Sequence, residues 1–172
     1  GVMAVHMFGQ MADLSEVYRS AQVNGVFVIE DAAQCLGSDS TGAKPGTWSN
    51  AACLSFDPTK IIGAFGSGGV VMTHDAEIAD TVTRLRYHGK DASGLYQDIG
   101  LNSQLASVQA ALLNVKLGYL DEWIARRRDI AQRYSAVLDE LPGVSPPVTL
   151  PGSSHVFHKY VLTAGDDRDR LR

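Results

Sequence analysis

Three short runs without polar alternation constrain this chain more than anything else in it: VFVIE at 26–30, AACLSF at 51–56 and GGVVMT at 68–73. A strand with one wet face alternates apolar and polar residues, whereas a strand covered on both faces reads as a continuous apolar run. These runs therefore call for a sheet with a layer packed on each side. Asn24-Gly25 and the turn-rich TGAKPGTW punctuate them, as turn chemistry requires. Helical spacing before and after them completes an α/β pattern.

Asp13 is placed to cap a first helix, with Glu16 completing a capping box and Leu14, Val17, Tyr18 and Ala21 following at helical spacing. Asp75 is placed to cap a second helix that carries Ile78, Val82 and Leu85 on one face. From Ser103 to about Leu141 the pattern is helical almost throughout, with a bend expected at Gly118 and a stop at Pro142-Gly143. SPPVTLPGSSH then reads as a linker and VFHKYVLT as a further strand, so a domain change is expected between 142 and 155. The chain starts at Gly1-Val2 and stops within the helix-like DRDRLR, and a fragment of a longer protein is expected.

A formal net charge of −4, without a basic stripe, speaks against nucleic-acid binding. No apolar run is long enough to span a bilayer. Cys35 and Cys53 lack metal-type spacing and read as free thiols in a reducing, cytoplasmic compartment.

The stretch SFDPTKIIGAFGSGG, 55–69, places one lysine, Lys60, between an apolar run and four glycines. The glycines lack the Gly-Lys-Ser/Thr of a phosphate loop and the third glycine of a dinucleotide fingerprint, so they read as a tight connection between strands. GSGG is not a serine-hydrolase elbow. His155 and His158, three apart in an expected strand, would point to opposite faces, and no metal-ligand spacing accompanies them. Asp31 follows VFVIE directly, at the carboxyl end of an expected buried strand, where open α/β sheets bind ligands. Read locally, it is a helix cap for AAQCL. Lys60 also lies just past a strand, with the Ser55 hydroxyl nearby. An acid, a lysine amine and a hydroxyl at strand ends suit pyridoxal phosphate, which needs an amine to bind covalently, an acid at its ring nitrogen and donors for its phosphate.

VIEDAAQCLGS, AACLSFDPTKIIGAFGSGGVVMT, RLRYHG, GLNSQLASVQAALLNVKL and LDEWIARRRDIAQRY together resemble the DegT/DnrJ/EryC1/StrS family of sugar aminotransferases, and the likeness covers essentially the whole chain. It implies the fold type I, aspartate-aminotransferase-like architecture with a mixed, mostly parallel sheet. Residues 1–141 would be the C-terminal part of the large cofactor-binding domain with its connecting helices, and 142–172 the incomplete start of a smaller α+β domain. It further implies that Lys60 binds pyridoxal 5′-phosphate covalently, that Asp31 pairs with the ring nitrogen, that Gln34 contacts the ring's 3′-oxygen and that Ser55 binds phosphate. Asn102 would reach the phosphate of the neighbouring subunit's cofactor in a homodimer. The implied reaction turns a keto sugar, nucleotide-linked, into an amino sugar with an amino acid (glutamate or glutamine) as donor. Two other readings stand beside it: a sugar dehydrase of the same family, which would carry histidine in place of Lys60, and a non-catalytic regulatory relative. The 172 residues alone are expected to be inactive.

Overall fold

The structure, a computed structural model, describes residues 1–170. Its elements in chain order are β1 (Val2–Val5), α1 (Ser15–Val23), β2 (Val28–Asp31), β3 (Asp39–Ser40), β4 (Ala51–Ser55), β5 (Gly69–Met72), α2 (Ala76–Leu85), α3 (Ser107–Leu117), α4 (Leu120–Leu138) and β6 (Ser153–Ser154). A 3-10 turn at Gly165–Arg170 follows. The main sheet runs β1-β2-β4-β5, and a small antiparallel pair joins β3 to β6.

All three apolar runs form strands, although β5, with no buried residue, is not covered on both faces here, and the sheet is mixed and mostly parallel. β1, β2 and β4 are parallel, with Val5 opposite Asp31 and Asp31 opposite Cys53. β5 returns antiparallel, pairing Gly69 with Ser55. The glycine-rich stretch is the connection between these last two strands, as its turn chemistry indicates. The carboxyl ends of β1, β2 and β4 therefore open on the same edge.

Two small clusters hold the loop that follows β4. Ile61 packs with Ile124 of α4 and with Val156. Ile62 packs with Ala64 and Leu113, and Phe56, Leu105, Leu120 and Trp123 close around them. Fully burying a side chain the size of Ile62 stabilises by roughly 1.5–3 kcal/mol. The loop is thus pinned between α3 and α4 by two consecutive isoleucines.

Asp75 caps α2 as expected, its Oδ1 accepting from the amides of Glu77 and Ile78. The first capping box does not form. The helix starts at Ser15, and Asp13 instead accepts from the Ser15 amide and hydroxyl in a local turn. That short-range bond competes directly with a cap over the next turn. The long helical stretch is two helices broken at Gly118-Tyr119, starting at 107 rather than 103. VFHKYVLT is not a strand. Residues 156–162 are irregular, and Phe157 takes a φ of +47° that no strand allows. Its backbone bonds go instead to the loop after β1, from the Val156 amide to the Gly9 carbonyl and from the Lys159 amide to the Phe8 carbonyl. Among the described residues, no helix is long and apolar enough to cross a membrane.

Candidate active site

Parallel pairing sets the geometry. Asp31 ends β2, Ser55 ends β4, and His6 follows the end of β1. Period-two alternation puts Glu30 and Asp31 on opposite faces of the sheet. Glu30 is fully buried, and Asp31 is half-buried at the open edge.

Asp31 Oδ1 accepts from the Ala33 amide at 3.1 Å. AAQCL makes turns rather than a helix, so this is a turn-closing bond and not a helix cap. The other carboxylate oxygen has no partner among the described residues. Gln34 Oε1 accepts from the Phe8 amide at 2.9 Å, which leaves its NH2 group free to donate. Ser55 Oγ accepts from the Asp57 amide at 3.2 Å and keeps its own proton to give. Lys60 is half-buried in the loop pinned by Ile61 and Ile62, and its ammonium makes no hydrogen bond or ion pair among the described residues. Asp57, whose carboxylate is occupied by Thr59, precedes it in the same turn.

Asn102 lies elsewhere. It is exposed, pairs briefly with Tyr87, and borders a cavity of about 720 Å³ together with Val71, Val82, Arg86 and Gln104. That cavity lies against β5 and α2, and Asp31, Gln34, Ser55 and Lys60 do not line it. Four of the five expected site residues gather at the carboxyl end of the parallel strands, and one stands apart.

Beneath the four is a pair that the sequence reading missed. His6 Nε2 lies 2.7 Å from Glu30 Oε2, both side chains being fully buried. The Ala12 amide donates to His6 Nδ1, so the ring's proton sits on Nε2 and is given to Glu30. Glu30 Oε1 takes the Gly46 amide at 3.0 Å. Burial alone would raise the Glu30 pKa, but hydrogen bonding from His6 and Gly46, with the Ser49 hydroxyl close by, holds it below its ordinary value. An acid closing the apolar run VFVIE was the available signal, since only a paired carboxylate survives in such a strand.

The segment after the linker also reaches the site. Arg127 donates to the Phe157 carbonyl, and Arg128 to the His155 carbonyl and the Ser154 hydroxyl. Gly9, with φ +109°, lets this segment approach, because a Cβ there would lie 2.6 Å from the His158 amide nitrogen. The opposite-face arrangement expected of His155 and His158 fails with the strand, and both rings are buried. His155 stacks on Phe157 at 4.1 Å, and burial, with Arg128 adding to it, lowers its pKa to about 4. Burial raises the Cys35 thiol to about 12, helped by the charges of Glu30 and Asp31, which makes it unreactive. Both cysteines are free, as expected. Among the described residues, no cluster of three metal-binding side chains occurs.

A family profile described as the DegT/DnrJ/EryC1/StrS aminotransferase family matches residues 1–172. The chain belongs to that family. A "Pleiotropic regulatory protein" of Geobacillus stearothermophilus is 40% identical over 99% of this chain and 46% of its own length. The dTDP-3-amino-3,4,6-trideoxy-alpha-D-glucose transaminase of Streptomyces venezuelae is 37% identical over 99% of this chain and 45% of its own. The crystal structure of S. venezuelae DesV, solved in complex with a ketimine intermediate, superposes with a TM-score of 0.93 at 38% identity, covering 99% of this chain and 46% of that one. The chain therefore spans about half the length of these DegT-family relatives, and its architecture is part of the fold type I aminotransferase fold.

Proposed function

We propose that the native polypeptide carrying this sequence is an aminotransferase that uses pyridoxal phosphate to convert a nucleotide-linked keto sugar into an amino sugar, with an amino acid as donor. The observation that carries this reading is the gathering of Asp31, Gln34, Ser55 and an unpaired Lys60 at one end of the parallel strands. The donor set fits the cofactor. The free oxygen of Asp31 suits a protonated ring nitrogen, the Gln34 NH2 group suits a ring oxygen, the Ser55 hydroxyl suits phosphate, and Lys60 is a primary amine without a competing partner. When bound, pyridoxal phosphate supplies an electron sink for charge developing beside the amino nitrogen. The chain's residues do the rest. Lys60 Nζ takes a proton from the carbon that bears the amine and returns one to the product, as general base and then acid. Asp31 would hold positive charge at the ring nitrogen. Gln34, fixed by the Phe8 amide, would offer its NH2 group to a ring oxygen.

The transaminase name of the S. venezuelae relative supports a sugar substrate. Asn102, exposed at the cavity against β5 and α2, is read as serving a second subunit, so the active form is a homodimer. Residues 142–172, whose last two lie outside the described ones, are read as the start of the small domain.

The name of the G. stearothermophilus relative favours one second reading, a regulatory protein that keeps the fold. One experiment separates the two. The native polypeptide is incubated with pyridoxal phosphate, reduced with borohydride and mapped by peptide mass spectrometry. The aminotransferase reading expects one adduct, on Lys60. No adduct, or an adduct on another lysine, defeats it.

A further inference from the structure

Among the described residues, two buried side-chain atoms have no hydrogen-bond partner, the Ser49 hydroxyl and Nδ1 of His158. An orphaned buried polar atom is costly and calls for an explanation. His158 is only 9% exposed. Its segment is anchored by packing and by backbone hydrogen bonds. Val156, two residues earlier, packs on Ile61, the neighbour of Lys60. The Lys159 amide bonds to the Phe8 carbonyl, and the amide of that same Phe8 holds Gln34. The imidazole is therefore set between the Lys60 loop and the residue that orients Gln34.

The charges of three cations act on this ring: Lys60 in the loop after β4, Arg127 of α4, and Lys159 of its own segment. No acid pairs with it among the described residues. Burial first, and then these charges, depress its pKa, so the ring is neutral at neutral pH and has one nitrogen free to accept. Lys60, whose charge reaches the ring, is a donor without a partner.

We propose that His158 is a positioning residue for Lys60: Lys60 Nζ and His158 Nδ1 are not bonded to each other in this structure, and a rotation of the lysine side chain brings Nζ to the neutral Nδ1, which accepts its hydrogen bond and so holds the amine at the site whenever it is not covalently engaged. The proposal deepens the aminotransferase reading, in that it takes Lys60 as the reactive amine. It assigns a role to the 155–159 segment, whose backbone the arginines of α4 and the Phe8–Gly9 loop fix in place.

The test reads the lysine directly, without turnover. The cofactor-free native polypeptide is labelled with trace acetic anhydride across a pH series, and acetylation at Lys60 is quantified by peptide mass spectrometry. His158→Phe keeps the ring shape but removes the acceptor, which leaves a desolvated ammonium unsupported. Lys60 labelling near pH 8 then rises about tenfold, the equivalent of one pKa unit. His158→Asn places an oxygen near the old Nδ1 and keeps the rate within about twofold of native. A His158→Phe rate equal to or below native, or equal rates in the two variants, overturns the proposal.

Should His158→Phe not fold, judged by its near-ultraviolet circular dichroism, the coupling is read from the other partner. Histidine-selective NMR of the native protein and of Lys60→Met should show the His158 titration midpoint rising when the lysine charge is removed. The Nε2-protonated tautomer should also lose its dominance, and an unchanged His158 signal overturns the proposal. If Lys60 and His158 behave as stated while the borohydride adduct maps elsewhere, the cofactor assignment fails and the pairing stands.

Discussion

The middle of the main sheet and its β5 end are built differently. Around β2, Val28, Glu30, His6 and Ala32 are essentially inaccessible, and the polar side-chain atoms of His6 and Glu30 are paired. Toward β5, no strand residue is buried, α2 has no buried residue, and the loop before α3 exposes Leu95, Tyr96, Ile99 and Leu101. The first region carries Asp31 and Gln34, and the second carries Asn102. The groups proposed to bind within a single chain thus sit in the closed region, and the one proposed to act across an interface sits in the open one. Exposed apolar surface of this kind marks a face that another surface covers.

The sharpest way to break this contrast is at the buried pair. Glu30→Gln leaves one side-chain oxygen where two donors, His6 Nε2 and the Gly46 amide, need acceptors. The expected loss is about 3–5 kcal/mol of stability, read as a lower urea midpoint at an unchanged slope. A loss under about 1 kcal/mol would mean that the closed region owes little to its polar staple.

Asp31→Asn should separate chemistry from folding within that region. Up to about 4 kcal/mol of transition-state stabilisation disappears, or about a thousandfold in turnover. The melting temperature should stay close to native, because the side-chain oxygen of the introduced asparagine can still accept from the Ala33 amide, as Asp31 Oδ1 does. Near-native turnover would reduce Asp31 to a turn residue.

Acid should loosen the contacts of the 155–159 segment. The pKa of His155 falls from about 6.5 unfolded to about 4 folded. Between these values the unfolded chain binds a proton that the folded chain refuses, so stability declines as pH drops through that window. The decline is at most about 3 kcal/mol. His155→Gln should flatten that part of the pH–stability curve, and an unaltered curve would show that the ring titrates normally.

The smallest effect belongs to the open end. Ile99, fully exposed, changed to Asp should move the stability of the isolated chain by no more than about 0.5 kcal/mol. It should nonetheless weaken self-association of the native polypeptide, measured by sedimentation. Unchanged association would remove this loop from the interface.

The fold was legible where one residue type had one use. Continuous apolar runs gave the strands, and Asp75 capped α2 because no nearer donor competed for it. It was illegible where two local bonds competed, as at Asp13, and where long-range contacts overrode β propensity, as in VFHKYVLT. That segment's backbone is claimed by Phe8, Gly9 and two arginines more than a hundred residues or a whole helix away in sequence. In the candidate site, the placement of Asp31, Gln34, Ser55 and Lys60 at or just past strand ends was readable from the order of apolar runs. His6 was not, because its partner is a strand interior residue that pattern alone assigns to packing. Nor was His158, whose significance lies in a missing hydrogen bond rather than in its spacing.

The grip of Arg127 and Arg128 on residues 154–157 has a further consequence. Between α4 and that segment, residues 139–152 are largely exposed and carry little of the packing. A protease that cuts there should yield two pieces that stay together in solution, since the joint is made by guanidinium groups that remain charged at any ordinary pH. The connecting stretch is, for the same reason, where evolution could lengthen, shorten or replace the chain without disturbing what lies on either side.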